Sequence, residues 1–504
     1  MFPSLGLKRV INFFRGHRGA VAPINTLPVE TLSEIFFFTI DKDPSIARCG
    51  KALKVCTWVC CHWRQVALHD PRLWSLAINP EDSEDWMKEM LLRSKNTPFR
   101  IEFNHEPLGL GLHPGPLGLE LASLRCEGII RNVLLAMQFI HRVRHFRITA
   151  SSRLCLQFLS KLTLSLPMLS SIYVINEDVE PLFADDPPLA PHLPAGLFML
   201  DAPKLDVVSF ADWNFDWDLF KFTSLTQLHV VFSKAQFAAR PTFQQLSLVL
   251  TELPLLTAVS LMNVLPADIP FVTRPCILLE LLEILALEGG SQECIGFLNI
   301  LVHPAYTMIH LVCRDTPLPL TPIVGIIRDK FSDHQLHTLS LHLGPYSFCL
   351  CASSNESDEV SPVLQAIELE FLWDNTPNLL DLLPLPLALP SGDVDVLCIT
   401  GHPELTISTS TWNVLLSHFR EINSLHLEAV PLQGLLPLLV PAMDGFLPRL
   451  KRISARLARS DEQAVINYFI EQRRDDDHEG EGVMMNDDED LEDEDLMEKV
   501  MKEE

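Results

Sequence analysis

The chain has 504 residues, of which 47% are hydrophobic and 21% charged, so it is a globular protein with enough length for a large core and not a disordered one. Lys and Arg number 39 against 65 Asp and Glu, a net charge of −26 that argues against nucleic acid as a partner. Twelve cysteines are scattered without the spacing of a disulfide framework, which points to reduced thiols and to a cytoplasmic or nuclear protein.

Residues 1–22 read as a flexible basic lead. Met1–Ala20 carries Lys8, Arg9, Arg15 and Arg18 and has no long apolar segment of the secretory kind. Organised structure begins at Pro23. Leu27 and Pro28 open a helix, because proline lacks the N–H that the first helical position would leave unsatisfied. Glu30 complements the helix dipole, and Leu32, Ile35, Phe36 and Ile40 recur at helical spacing. Asp41–Pro44 ends that helix. A second apolar segment runs from Leu53 through Val59, Cys60 and Trp63 to about Leu68. Asp70-Pro71 is a turn, and Leu73-Trp74 leads into a short strand.

Beyond residue 95, short β-branched or leucine-rich runs alternate with longer helical segments. Eleven runs stand out, beginning at Ser171, Leu205, Leu225, Leu256, Leu282, Thr307, Leu336, Leu364, Val394, Ile422 and Leu450. Their centres recur with a period of about 28, inside the range of leucine-rich repeats. The frame L-x-x-L-x-L appears in Leu336–Leu341 and, with isoleucine first, in Ile422–Leu427. One strand and one helix cannot bury an apolar face alone, whereas stacked units share a continuous core. The expected class is therefore α/β, a degenerate leucine-rich-repeat-like solenoid over 77–474. A doubly wound sheet is the alternative.

Loops are expected at Pro107–Pro116, Glu180–Pro194 and Ser353–Pro362. Cys294–Cys313 has no charged residue, but Pro304 divides it, so it reads as a helix, a turn and a strand rather than a membrane span. Asp461–Arg474 reads as a closing helix. Residues 475–504 hold 16 acidic and 2 basic residues and form a disordered acidic tail, able to solubilise the chain or to fold back on a basic patch.

No motif of nucleophilic, phosphate-binding or metal chemistry is complete. Cys56, Cys60, Cys61 and His62 fall on one expected helix and point to different sides, so they are not a zinc site. His141 and His145 lack the glutamate of H-E-x-x-H. Asp212, Asp216 and Asp218 near Trp213 and Trp217 read as a solvated loop. No catalytic residue, cofactor or metal is expected. One cationic run stands out: Gly128–Asn176 has no Asp or Glu and six basic residues. Within it Arg142, Arg144 and Arg147 are candidates for holding an acidic or phosphorylated segment of a protein substrate.

The block Leu27-Pro28-x-Glu30-x-Leu32-x-x-Ile35-Phe36, then Val59-Cys60-x-x-Trp63-Arg64, then Asp70-Pro71-x-Leu73-Trp74, resembles an F-box. Residues 23–76 carry three matches in the family's order. Asp41–Ala52 is longer and more polar than the usual link, and Cys61 and His62 replace the basic or polar residues common before the tryptophan. Trp74–Asn104 also resembles the F-box proteins of fungal type, with a strand, a helix holding Leu91-Leu92-Arg93-Ser94, and Pro98-Phe-Arg-Ile-Glu-Phe. In that group a leucine-rich-repeat-like domain fills the rest. The resemblance implies a non-catalytic adaptor of a ubiquitin ligase. Its helices would dock on a Skp-type adaptor, and through it a cullin, while the repeats hold an unknown protein substrate. The implied docking residues are Leu27, Pro28, Leu32, Ile35, Phe36, Val59, Cys60, Trp63 and Leu73. The other reading is a repeat-based interaction scaffold that joins no ligase, with the helices as a cap.

Overall fold

A computed structural model describes residues 23–41, 46–104, 116–162, 165–178, 190–234, 238–269, 277–304, 306–315, 321–331, 336–344, 347–353, 365–372, 382–402, 407–439, 447–456 and 460–476. The expected basic lead, the loop Pro107–Pro116 up to its last residue, residues 180–189 and 354–362 of the other two expected loops, and the acidic tail from residue 477 lie outside these, while residues 475 and 476, expected in the tail, belong to the last helix.

A short turn of 3-10 helix at Pro23–Thr26 precedes five helices: α1 (Val29–Asp41), α2 (Ile46–Val59), α3 (Cys61–His69), α4 (Pro71–Leu76) and α5 (Glu84–Arg93). Four local expectations change here. The first helix starts at Val29, with the Pro28 carbonyl accepting from Leu32 N at 3.0 Å, so Pro28 stands just outside it. The link after α1 is short, because most of the expected Asp41–Ala52 connection is the first half of α2. The apolar segment expected as one helix is two, broken at Cys60, whose extended backbone and sulfur cap α3. Leu73-Trp74 is helical rather than extended. Asp70 accepts from Arg72 N and Pro71 occupies the first turn, two local features that start a helix at once.

The remainder is mixed α/β, built on one 14-stranded sheet. In chain order it comprises β1 (Phe99–Asn104), α6 (Pro116–Ala136), β2 (Val143–Ala150), α7 (Ser152–Leu159), β3 (Ser171–Asn176), β4 (Val207–Ala211), β5 (Gln227–Val231), α8 (Phe243–Thr251) and β6 (Ala258–Met262). There follow β7 (Ile277–Leu278), β8 (Ile284–Gly289), α9 (Ser291–Ile300), β9 (Leu301–Val302), β10 (Met308–Cys313), α10 (Thr321–Phe331), β11 (Thr338–Leu343) and β12 (Ser347–Ser353). The last are β13 (Gln365–Leu372), β14 (Val396–Thr400), α11 (Thr409–His418), β15 (Ser424–Glu428), α12 (Leu436–Leu439), β16 (Arg452–Arg456) and α13 (Ser460–Asp476). Strands β7 and β9 pair only with each other.

All eleven expected runs become strands of the large sheet. Strands β1 to β6, then β8 and β10, lie side by side in sequence order and parallel. The succession then fails. The order continues β13-β12-β11-β14, with β12 antiparallel to both neighbours. β11 is therefore separated from β10 by two strands instead of following it, and a uniform repeat succession does not hold through this region. Strand β12 had no counterpart among the eleven runs.

Along most strands alternate residues are buried, as in Phe99, Ile101 and Phe103 of β1, so one face of the sheet forms the core. The Cys294–Cys313 stretch is helix α9, β9 and β10, and no helix of the described residues is long and apolar enough to cross a membrane. One hydrophobic core runs from Leu32 to Phe469. The helical block thus shares its interior with the sheet through Leu73, Trp74, Ala77, Ile78 and Met87. Asn132 strengthens the junction by donating to the carbonyls of Pro80 and Asp82 at 2.9 and 2.7 Å.

Candidate functional site: the outward face of the N-terminal helices

Helix α1 has more apolar residues than one buried stripe requires. Leu32, Phe36 and Ile40 recur every fourth position and are fully buried. Ile35 and Phe38, three apart, share the outward side and are 37% and 60% exposed. Helix α2 repeats the arrangement. Cys49, Leu53 and Cys56 face inward, and Val55, Trp58 and Val59 face outward, with Trp58 75% exposed. Seven of the nineteen exposed large apolar side chains among the described residues fall between Ile24 and Val59.

The inner side is closed by specific contacts. Phe36 packs on Trp63 with ring centroids 4.9 Å apart. Trp74 Nε1 donates to the Ala67 carbonyl at 2.9 Å. Arg72 of α4 reaches α1, donating to Glu34 at 2.6 Å, with its guanidinium 5.3 Å from the Phe37 ring, and also binds Asp70 at 2.9 Å. Ser33 donates its hydroxyl to the same Asp70 carboxylate. Burial alone would push the Asp70 carboxyl up, but hydrogen bonds from Arg72 and Ser33 outweigh it and hold the group below the usual aspartate range. The hydrogen bonds to Asp70 and Glu34 in turn raise Arg72 further above its already high value. Burial pushes the Cys56 thiol up, which keeps it an inert core residue.

The nine motif residues therefore divide. Pro28, Ile35 and Val59 are exposed, and Leu27 and Trp63 are half-buried. Leu32, Phe36 and Leu73 belong to the core, so they offer no surface for the direct contact that the motif implied for them. Cys60 is a helix cap, its sulfur 3.4 Å from Trp63 N. Reasoning from the motif missed Val29, Phe38, Val55 and Trp58. The Ile35-Phe36-Phe37-Phe38 run was the available signal, since four consecutive large apolar residues cannot all face one core.

The three arginines do not form one patch. Arg142 is 4% exposed and is a structural residue, which removes it from any substrate surface. Its guanidinium donates to the Thr97 carbonyl at 3.0 Å and to Ser94 Oγ at 2.6 Å, and lies 5.1 Å from the Phe99 ring. Burial lowers its pKa. Arg144 is exposed at the rim of a cleft of about 490 Å³ that it shares with Lys204, Ser170 and Asp206. Arg147 lies on the open face of the sheet, across from Glu102 in register and 5.4 Å from the Tyr173 ring.

His145 and the aspartates weighed in the sequence make structural contacts. His145 Nδ1 pairs with Ser171 Oγ at 2.8 Å. Asp212 accepts from Ser233 N and Asp216 from Asp218 N, as loop-forming carboxylates do. No family model matches this chain, and no curated protein matches it.

Proposed function

We propose that the chain is the substrate-recognition adaptor of a Skp–cullin–F-box-type ubiquitin ligase. Helices α1 and α2 dock on the Skp-type adaptor, and the open face of the sheet, a degenerate leucine-rich-repeat-like solenoid, holds a protein substrate. The chain itself carries no catalytic group. The observation that carries this reading is the pair of outward apolar faces, Ile35 and Phe38 on α1 and Val55, Trp58 and Val59 on α2, on a block whose core is already closed without them. Burying such side chains against a partner is worth roughly 1.5–3 kcal/mol each. None of the eleven described cysteines is in a disulfide, which fits work in the cytosol or nucleus. The test is co-purification of Skp-type adaptor and cullin with the full chain. Ile35→Asp with Trp58→Asp, both at exposed positions, should abolish capture while leaving the melting temperature unchanged. Retained capture by the folded double variant overturns the reading.

The scaffold reading keeps one observation in its favour. The helical block and the sheet share a continuous core, as a terminal cap would. It is distinguished by the same experiment, since a cap recruits neither adaptor nor cullin.

A further inference from the structure

We propose that Cys349, Cys351 and Glu368 form a binding site for a soft metal ion, zinc by preference, and that His310 is a positioning residue for the Glu368 carboxylate. The site lies where the parallel succession is interrupted, on the inserted strand β12 and its neighbour β13. Phe348, Leu350 and Ala352 of β12 are buried. They pair with Leu343, Leu341 and Leu339 of β11. Alternation along a strand then puts Cys349 and Cys351 together on the opposite face, Cys349 half-buried and Cys351 buried. Glu368 of β13 stands directly across from Cys351, and His310 of β10 directly across from Glu368. Three strands thus set an imidazole, a carboxylate and a thiol in one row, with a second thiol two residues along.

The distances suit a metal. One ligand atom from each of Cys349, Cys351 and Glu368 lies within 4.8 Å of the others, the only such convergence of three His, Cys, Asp or Glu ligand atoms among the described residues. The two sulfurs are 3.4 Å apart. Two thiolates on a tetrahedral zinc, each at about 2.3 Å, stand roughly 3.8 Å apart, so only a small adjustment is needed. A disulfide would require about 2.05 Å. His310 Nε2 lies 3.7 Å from Glu368 Oε2, a carboxylate–histidine contact that can orient the ligand from behind.

The chemistry selects the ion. Two sulfur ligands favour zinc or cuprous copper over magnesium, calcium or manganese. Binding releases the two thiol protons to solvent and leaves two thiolates and one carboxylate around a divalent ion, whose charge offsets most of theirs. Glu370, across from Cys349 on β13, adds negative charge beside the site. Cys349 is only half-buried, which leaves an approach from solvent and room for water in the fourth ligand position.

The test uses the full-length reduced chain, stripped of metal and titrated with cobalt(II) and then zinc. Wild type should take up cobalt with a near-ultraviolet thiolate-to-cobalt absorption, lost when zinc displaces it. Zinc should protect Cys349 and Cys351, but not Cys61 or Cys398, from alkylation read by peptide mass spectrometry, a readout that needs no variant. Cys349→Ser with Cys351→Ser should remove the cobalt band, and His310→Ala should weaken zinc affinity about 10- to 100-fold without removing the band. Absence of any thiolate–cobalt band in wild type overturns the proposal, as does equal alkylation of Cys349 and Cys351 with and without zinc.

Discussion

The rings of Phe36 and Trp63 meet with centroids 4.9 Å apart and planes tilted by 56°, so helix α3 is held against α1 by an aromatic pair. Phe36 is buried, whereas Phe38, two residues on, is 60% exposed. Phe36→Ala is expected to destabilise the chain by about 3–5 kcal/mol, through lost transfer energy and the cavity left behind. Phe38→Ala should change stability by no more than about 0.5 kcal/mol. Urea unfolding of the two variants, followed by far-ultraviolet circular dichroism, measures the difference.

Asp70 supplies a pH dependence with a defined sign. Its carboxyl is held below the ordinary value of 3.8, so folding favours its charged form. The stabilisation is complete above that ordinary value and is lost as pH falls from about 4 through the lower folded-state value. Asp70→Asn should lower stability at neutral pH and flatten the acid limb of the stability curve. Melting temperatures of both proteins from pH 7 to pH 3 should converge as the pH falls, and parallel curves would contradict the assignment.

Arg142 and Arg144 are close in sequence and opposite in role. Removing the Arg142 guanidinium leaves the Thr97 carbonyl and Ser94 hydroxyl without their donor in a buried setting, at about 1–3 kcal/mol. Arg142→Ala is expected to cost at least that much, because the guanidinium also lies over the Phe99 and Phe139 rings. Arg144→Ala should be neutral for stability and should weaken binding of an acidic peptide only if the neighbouring cleft is used. Chemical denaturation and peptide titration separate the two effects.

Asn263 is buried in the left-handed region, with φ of 59°, and its amide donates to the Phe232 carbonyl at 2.8 Å and to Glu288 at 3.1 Å. Asn263→Ala loses both the bonds and a side chain suited to that backbone, whereas Asn263→Gly loses only the bonds. The alanine variant should be the less stable of the two by about 1 kcal/mol, measurable as a lower denaturation midpoint.

Local pattern alone located eleven of the fourteen strands of the large sheet and several of the helices. Leucine and β-branched residues at period two make strands wherever one face is buried, and the eleven runs from Ser171 to Leu450 needed no knowledge of their neighbours. Stripes such as Leu32, Phe36 and Ile40 likewise need only helical periodicity. Helix boundaries were less legible, because the extended Cys60 that separates α2 from α3 lies inside an apolar segment with no proline or glycine to mark the break. Three matters were decided only by tertiary structure. Strand order was one: Ser347–Ser353 inserts antiparallel between Thr338–Leu343 and Gln365–Leu372, and backbone hydrogen bonding of this kind depends on which edge is free, not on side-chain pattern. The fate of each arginine was another, since Arg142 turns inward to carbonyls supplied by residues 91–97, some 45 positions away. The third was the convergence of Cys349, Cys351, Glu368 and His310, which come from three strands and share a face only because a half-buried strand fixes the register to the residue.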